Sequence, residues 1–473
     1  MTAPPGPPPP PRPTAPPTAP LAGGHTGADA LRPLLDTVLD ALATGARARG
    51  GPLPAGGPDA VTARVAAALG DVLPAHGTGA QDALRTLVHA LAEGAADPAE
   101  PLCAAHLHGP PLAVATAADL AASALNPSLD SWDQAPAASA IETLVTRALA
   151  AEFYPAAATP DAVVTTGGTE ANQLAVLLAR ERHGPALTVL HGENAHHSVP
   201  RAAWLLGLPA ATALPTPAGV LDPARLADAL AATPGPALVT ATAGTTDAGL
   251  IDPLDAIADV CSAHGADLHI DAAYGGLLAL SPRHRPRLAG LHRAHSLTID
   301  LHKLGWQPVA AGLLAVPDTR LLAPLAHRAD YLNPADDTEA GLPDLLGRSL
   351  RTTRRPDAFK IAVTLRALGR DGLAHLIDRT CDLAHHLAAR LDAHPDFELH
   401  APPTLTTVLF RPTHADDKTL ADLRRTLLHA GRAVLGRATA DGRLWLKATL
   451  LNPHTTPQDL DTLVTLLEGS NRR

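Results

Sequence analysis

The chain has 473 residues, of which 46% are hydrophobic, and its formal net charge is −10. This length allows two or three domains with a large buried core. The charges are interspersed and form no Lys/Arg-rich block, which argues against nucleic-acid binding as the main role. The three cysteines lie far apart, so they indicate neither a disulfide framework nor a zinc site. No apolar run is long enough to span a bilayer and no signal-peptide pattern is present, so we expect a cytoplasmic protein that binds neither a membrane nor a metal.

The N-terminal part of the sequence divides into a tail and a helical segment. Residues 1–28 are rich in proline and are predicted to form a disordered, polyproline-like tail. A ligand for a proline-binding module is the alternative for this tail. From residue 29 to 108, apolar residues recur at helical spacing in pieces separated by Gly and Pro. This segment is therefore predicted to be helical.

Alternating helices and strands are predicted between residues 109 and 368, because short apolar runs bounded by Gly, Pro, Asp or His are typical of buried strands. The predicted strands are Leu187–Leu190, Ala237–Ala241, Leu268–Ile270, Ser296–Ile299 and Ala311–Val316. Helical patterns cover Ile141–Leu149 and Glu170–Arg182. This alternation indicates an α/β fold with a mainly parallel sheet. Residues 369–473 combine helices with predicted strands at Thr406–Phe410 and Leu444–Thr449, which suits a smaller α+β C-terminal domain.

Only four lysines occur in the chain, and one of them is placed for chemistry. Lys303 stands just past a predicted strand end, where α/β enzymes place their ligands. An amine there can form an imine with an aldehyde cofactor if it is desolvated enough to lose a proton. The alternative is an ordinary charged loop end. Lys360 and Lys447 are predicted to be structural, and Lys418 to be solvated.

Two further motifs offer groups that pyridoxal 5′-phosphate (PLP) needs. Asp271 ends a predicted strand, and a carboxylate there can keep the pyridine nitrogen protonated, while the small Ala273 leaves room for the ring. The alternative is an Asp that caps the next helix. Gly167, Gly168 and Thr169 open a predicted helix, whose exposed N–H groups can bind a phosphate. The alternative is an ordinary Gly-rich turn.

Histidine and threonine motifs complete the set. His196, with its neighbour His197 as second candidate, could stack on a cofactor ring, although a structural histidine is the alternative. Thr246, beside Thr245, follows another predicted strand and could reach a cofactor or substrate oxygen. The phosphate turn, the histidine, the threonine loop, Asp271 and Lys303 follow one another at the ends of successive strands. Their order is a stronger indication than any single motif.

These motifs resemble the group II PLP-dependent decarboxylases, which include aromatic amino acid, glutamate, histidine and 2,4-diaminobutyrate decarboxylases. The similarity runs from about Pro101 to Asn452. Several stretches resemble most the L-2,4-diaminobutyrate decarboxylases within this family, namely residues 105–111, 126–134, 330–334, 352–355 and 446–453. The resemblance implies PLP fold type I (aspartate aminotransferase-like), with a seven-stranded, mainly parallel sheet. It also implies a homodimer with shared active sites.

The resemblance also implies roles for single residues. Lys303 would carry PLP as a Schiff base, Asp271 would pair with the pyridine nitrogen, and His196 would stack on the ring. Gly168, Thr169 and His302 match phosphate contacts, and Thr246 matches a residue near the cofactor oxygen. Tyr331 matches a loop tyrosine that protonates the substrate carbon after CO2 leaves, reaching across from the other subunit.

The sequence departs from the family pattern at three places. Asp300, which we also expect to contact the cofactor, stands where some relatives carry Asn and others Asp. Pro356 and the pair Gly305-Trp306 replace bulkier or aromatic residues, and we expect these positions at the substrate end of the pocket.

The expected reaction is PLP-dependent decarboxylation of an L-amino acid to its amine, with L-2,4-diaminobutyrate giving 1,3-diaminopropane as the best candidate. Glutamate, aspartate or an aromatic amino acid are alternative substrates. Transamination, oxidative deamination or carbon–carbon bond formation are alternative reactions on the same scaffold. A binding protein that has lost activity is the alternative from another class.

Overall fold

A computed structural model describes residues 19–327, 329 and 331–471 of the protein. Residues 1–18 of the predicted proline-rich tail lie outside the described residues, and the first helix begins at Gly27. The α-helices in the described part of the chain are α1 (Gly27–Arg49), α2 (Gly57–Leu69), α3 (Ala80–Gly94), α4 (Ala113–Leu125), α5 (Pro136–Phe153), α6 (Gly168–His183), α7 (Ser198–Leu205), α8 (Pro223–Ala232), α9 (Leu254–His264), α10 (Ala335–Glu339), α11 (Ala358–Asp392), α12 (Asp417–His429) and α13 (Pro457–Asn471).

The strands belong to two sheets. They are β1 (Cys103–Ala104), β2 (Asp161–Thr165), β3 (Thr188–Gly192), β4 (Thr212–Leu214), β5 (Ala237–Thr242), β6 (Asp267–Asp271), β7 (Ser296–Asp300), β8 (Gly312–Val316), β9 (Phe397–Leu399), β10 (Thr407–Pro412), β11 (Val434–Ala440) and β12 (Arg443–Thr449). All seven strands predicted from the sequence are present, with ends shifted by one or two residues.

The larger sheet has seven strands, as predicted, and their order is β2-β8-β7-β6-β5-β3-β4. Its pairings are parallel except at β8, which runs antiparallel to β2 and β7. Only residues 301–311 connect β7 to β8, and they form no helix. A parallel neighbour would need a longer crossover connection, so this strand must return antiparallel. The central strands are buried along their whole length because helices cover both faces.

The smaller sheet has the order β1-β11-β12-β10-β9. Its first strand comes from the predicted N-terminal segment, with Cys103 paired in parallel with Val434. The predicted domain boundary at residue 368/369 falls inside α11, at Gly369, whose φ of 64° interrupts the helical conformation. Glycine adopts this left-handed conformation without a steric cost, so the helix can change direction there. The division into domains itself stays a prediction.

The fold brings the motif loops together. β3, β5, β6 and β7 are parallel, so their carboxyl ends meet at one edge of the large sheet. The loops that follow these strands carry the histidine, threonine, aspartate and lysine motifs. In the described part of the chain, no helix is both long and apolar enough to cross a membrane.

Candidate active site

A cavity of about 370 Å³ opens at this edge of the sheet. Its volume lies at the lower end of the ~300–1,000 Å³ found for small-molecule sites. All ten residues predicted to contact a cofactor line it: Gly167, Gly168, Thr169, His196, Thr246, Asp271, Ala273, Asp300, His302 and Lys303. The remaining lining residues are Leu107, Thr166, Thr242, Gly244, Tyr274 and Val309.

Lys303 is the lysine that this cavity contains. Its Nζ lies 2.8 Å from Asp300 Oδ2, and the Asp300 side chain is only 2% exposed. The other three lysines do not line the cavity. Lys360 is buried between two aspartates, Lys447 donates to the carbonyl of Thr246 at 3.1 Å, and Lys418 is exposed.

Asp300 and His302 border the same part of the cavity. Asp300 Oδ1 is buried without a hydrogen-bond partner among the described residues. His302 Nδ1 donates to the carbonyl of Ala311 at 3.1 Å, and burial lowers the pKa of the ring. The neutral ring therefore has its proton on Nδ1. Its Nε2 lies 3.5 Å from Asp300 Oδ2.

Asp271 is buried at the end of β6 and is held by two donors. Its Oδ1 accepts from the backbone N–H of Ala273 at 3.1 Å, and its Oδ2 accepts from Asn172 Nδ2 at 2.7 Å. The next helical turn, at Gly276–Leu280, receives no side-chain cap. The alternative that Asp271 caps that helix is therefore wrong, and the carboxylate stays available to a ligand in the cavity.

The glycine turn before α6 forms an open cradle. A Cβ at Gly167 would lie 2.9 Å from His302 Cε1, and the φ of 155° at this residue disfavours any side chain. A Cβ at Gly168 would approach Ala273 Cβ to 3.1 Å and Asp300 Oδ2 to 3.2 Å. Within the part of the chain that the structure describes, no side chain caps the first N–H groups of α6, which leaves them available to an anion.

His196 rather than His197 faces the cavity. His196 is half-buried and burial lowers its pKa, whereas His197 is exposed and does not line the cavity. The two rings pack with centroids 4.1 Å apart. The first candidate, His196, therefore lies at the cavity, and the second candidate, His197, does not. The stacking role of His196 remains a prediction.

Two expectations from the sequence concern residues that lie outside the cavity of the single chain. Tyr331 is 83% exposed and lies outside the cavity, so its predicted role from the other subunit is not tested within one chain. The expectation that Pro356 and Gly305-Trp306 line the substrate end is wrong for the cavity of this chain. Trp306 is fully buried because the chain turns there with a φ of 50° and its Nε1 donates to the carbonyl of Leu451 at 2.7 Å.

Sequence reasoning missed a buried polar group behind the cavity. Asn172, on α6, hydrogen-bonds Asp271 and also contacts Ser198, His269 and Thr298. One signal was available: His269 and Asp271 are two residues apart on one strand, so their side chains point to the same face.

The donor set fits PLP part by part. Lys303 offers an amine for an aldehyde, Asp271 a buried carboxylate for a pyridine nitrogen, and the start of α6 a set of N–H groups for a phosphate. The cradle stays open only because residues 167 and 168 are glycines. Among the described residues, no group of three or more His, Cys, Asp or Glu side chains is arranged to hold a metal ion.

Comparison with known proteins gives a family match over most of the chain. Residues 69–413 match the model of the pyridoxal-dependent decarboxylase conserved domain. The chain is 45% identical over 406 residues to L-2,4-diaminobutyrate decarboxylase of Rhizobium meliloti (strain 1021), covering 82% of this chain and 81% of that protein. It is 32% identical over 427 residues to L-2,4-diaminobutyrate decarboxylase of Acinetobacter baumannii, covering 82% and 83%.

Solved structures share the fold along nearly the whole chain. One is the crystal structure of the glutamate decarboxylase domain of diaminobutyrate-pyruvate transaminase and L-2,4-diaminobutyrate decarboxylase from Vibrio parahaemolyticus. It is 31% identical with a TM-score of 0.85, covering 96% of this chain and 98% of that one. Oryza sativa TDC with PLP and tryptamine has a TM-score of 0.86 at 24% identity over 95% and 99%. The predicted PLP fold type I is confirmed.

Proposed function

The chain belongs to the pyridoxal-dependent decarboxylase family, and on that premise we propose that it converts L-2,4-diaminobutyrate to 1,3-diaminopropane and CO2. Its dependence on PLP and its class, a carboxy-lyase acting on an amino acid, follow from the family. The observation that carries the choice of substrate is the 45% identity to a diaminobutyrate decarboxylase over 82% of this chain.

The residues of the cavity supply the groups for this reaction. Bound PLP provides an electron sink for the electron pair left when the bond from Cα to the carboxyl group breaks. Lys303 would hold the cofactor by its amine, and Asp271 would keep a proton on the pyridine nitrogen. The N–H groups at the start of α6, with Gly168 and Thr169, would bind the phosphate. His196 would lie beside the ring.

A proton must then be added at Cα to give the amine, and Tyr331 is the proposed donor. A positioned acid is needed because the protonation site on the substrate decides between amine and other products. The 83% exposure of Tyr331 in a single chain agrees with a residue that serves a neighbouring subunit. Replacement of Tyr331 by Phe should leave CO2 release intact and divert the product towards aldehyde, with dissolved O2 as the two-electron oxidant and the amino nitrogen released as ammonia. Amine as the sole product of that variant would contradict the proposed role.

A homodimer with shared active sites is part of the proposal. Large apolar side chains are exposed on the first three helices of the single chain, which supports an interface there. The exposed residues are Leu39, Leu42, Val65, Leu69, Leu87 and Leu91. A cytoplasmic location is also proposed, since the three cysteines are free.

Mixing two variants that are each expected to form no amine tests the shared site. Lys303→Ala and Tyr331→Phe homodimers, unfolded together and refolded, should form mixed dimers in which one site has both residues intact. Amine formation should return in about a quarter of the sites, since half of randomly paired dimers are mixed. Each variant refolded alone is the control. No recovery of amine in mixtures that contain mixed dimers would contradict the shared site.

A substrate panel tests the reaction. The purified protein with PLP would be given L-2,4-diaminobutyrate, glutamate, aspartate and an aromatic amino acid, with CO2 detection and mass spectrometry of the product. We expect CO2 and 1,3-diaminopropane from the first, and neither from Lys303→Ala. Turnover of glutamate or an aromatic acid without diaminobutyrate would refute the substrate. A keto acid, or an oxygen-dependent aldehyde, would favour the alternative reactions.

A further inference from the structure

A single buried amide stands behind the candidate cofactor site. Asn172 is 1% exposed and does not line the cavity. Its Nδ2 lies 2.7 Å from Asp271 Oδ2 and 2.8 Å from Ser198 Oγ. Its Oδ1 lies 2.7 Å from Thr298 Oγ1 and 3.0 Å from His269 Nε2. The two donors and two lone pairs of the amide are all used.

The neighbours fix which way the amide points. An ionised carboxylate only accepts hydrogen bonds, so the atom that faces Asp271 must be the nitrogen. The oxygen then accepts from Thr298 and His269, and His269 must carry its proton on Nε2. Its Nδ1 is left to accept from the Ser296 hydroxyl at 2.8 Å. Burial lowers the pKa of His269 to about 4, which agrees with a neutral ring.

The same amide reaches His196 through Ser198. Ser198 Oγ accepts from Asn172, so its own proton is left for His196 Nδ1, at 2.8 Å. The backbone N–H of Ser198 also points at Nδ1, at 3.3 Å. Because Nδ1 receives two donors, the proton of the neutral imidazole lies on Nε2.

We propose that Asn172 is a positioning residue that sets both Asp271 and, through Ser198, the tautomer of His196. The inference rests on the proposed function, because it assumes that these two groups serve bound PLP. One rigid amide on α6 thereby links a carboxylate at the end of β6 to an imidazole before α7. If the carboxylate or the imidazole changed its hydrogen bonding, the amide would be left with a buried, unpaired polar group, and this would cost free energy.

Asn172→Asp tests the link to Asp271, because the new side chain has the same shape. It keeps the acceptor for Thr298 and His269 but places a second acceptor against Asp271. Repulsion between two carboxylates at this distance makes one of them take up a proton at a higher pH than usual, and the shared proton restores the hydrogen bond as the pH falls. In titrations of the PLP-free protein with PLP, the dissociation constant should rise roughly tenfold or more at about pH 8 and recover towards about pH 6. The wild-type protein should show no such recovery.

A matched control makes the same chemical change elsewhere. Asn452 is also buried, and its amide donates to the carbonyl of Ala99 at 2.7 Å, outside the cavity. Asn452→Asp should leave the affinity for PLP and its pH dependence at the wild-type values. An equal pH-dependent loss in this control would overturn the inference, because burying any carboxylate would then suffice.

Ser198→Ala tests the link to His196 separately. It removes the hydroxyl donor to Nδ1 and leaves only the longer backbone N–H contact of 3.3 Å. The amide stays on Asp271, so the PLP dissociation constant should stay within about twofold of wild type. The turnover number should fall roughly fivefold to tenfold, and the pH profile of turnover should shift, because the tautomer of His196 is then held less firmly. This variant decides the inference if Asn172→Asp does not fold.

The possible outcomes distinguish a failure of the positioning role from a failure of the proposed function. Wild-type-like PLP binding by Asn172→Asp at every pH, or wild-type turnover and pH profile in Ser198→Ala, overturns the positioning role and leaves the proposed function standing. A wild-type protein that binds no PLP overturns both. pH-dependent binding in Asn172→Asp together with impaired turnover in Ser198→Ala supports the inference.

Discussion

The buried ion pair between Arg354 and Glu142 gives a prediction with a large expected effect. Both side chains are 1% exposed, and they meet through two hydrogen bonds of 2.8 and 2.6 Å. Removing one partner of such a pair costs about 3–5 kcal/mol, because the remaining charge stays buried and uncompensated. Glu142→Gln keeps one acceptor for the guanidinium, so we expect about 3 kcal/mol. The pair ties the segment before α11 to α5.

The assay is urea unfolding of the PLP-free protein, so that cofactor binding does not add to stability. Arg443 and Glu398 form the matched control, since they also meet through two hydrogen bonds, both of 2.8 Å, but lie in solvent. Glu398→Gln should leave the urea midpoint nearly unchanged. The double change Glu142→Leu with Arg354→Met should restore most of the stability, because apolar groups of similar volume replace the pair. A Glu142→Gln midpoint as close to wild type as the control would refute the reasoning.

Two further predictions concern the cradle and the acid stability. Gly168→Ala should weaken PLP binding roughly tenfold in titrations while leaving the urea midpoint near wild type, since the new methyl enters the cradle 3.1 Å from Ala273 Cβ; unchanged affinity would place the phosphate elsewhere. Burial lowers the pKa of His284, although Asp378 Oδ1 lies 3.5 Å from its Nε2, and neither ring nitrogen has a hydrogen-bond partner among the described residues. Below the ordinary histidine pKa of 6.5, the unfolded chain therefore binds a proton at this ring that the folded chain does not bind. Stability is then lost as the pH falls, and His284→Leu should unfold at higher urea than wild type at about pH 5 by more than at about pH 8; an equal difference at both would contradict this.

Much of the site was predictable because its residues sit in short local motifs. Parallel strands bring their carboxyl ends to one edge, so residues such as Lys303 and Asp271 could be placed together without knowing the packing. The glycines at 167 and 168 were also informative, since the start of a helix binds anions by its backbone alone.

The remainder depends on contacts between distant parts of the chain. Asn172 hydrogen-bonds to His269, 97 positions away, and to Thr298, 126 positions away. The sequence around these residues does not predict either contact. Trp306 was misplaced because its burial follows from a hydrogen bond to the carbonyl of Leu451, on a distant segment. The proposed role of Tyr331 requires a second chain, so neither the sequence pattern nor one subunit can place it in a site.

The central claim is that Lys303 binds the aldehyde of PLP. The most direct measurement is borohydride reduction of the PLP-loaded protein, which makes the bond between cofactor and lysine permanent, followed by peptide mass spectrometry. The four lysines of the chain make the answer unambiguous. We predict the label on Lys303 and none on Lys303→Ala. A label on Lys360, Lys418 or Lys447 instead, or no label on a protein that turns over substrate, would contradict the account.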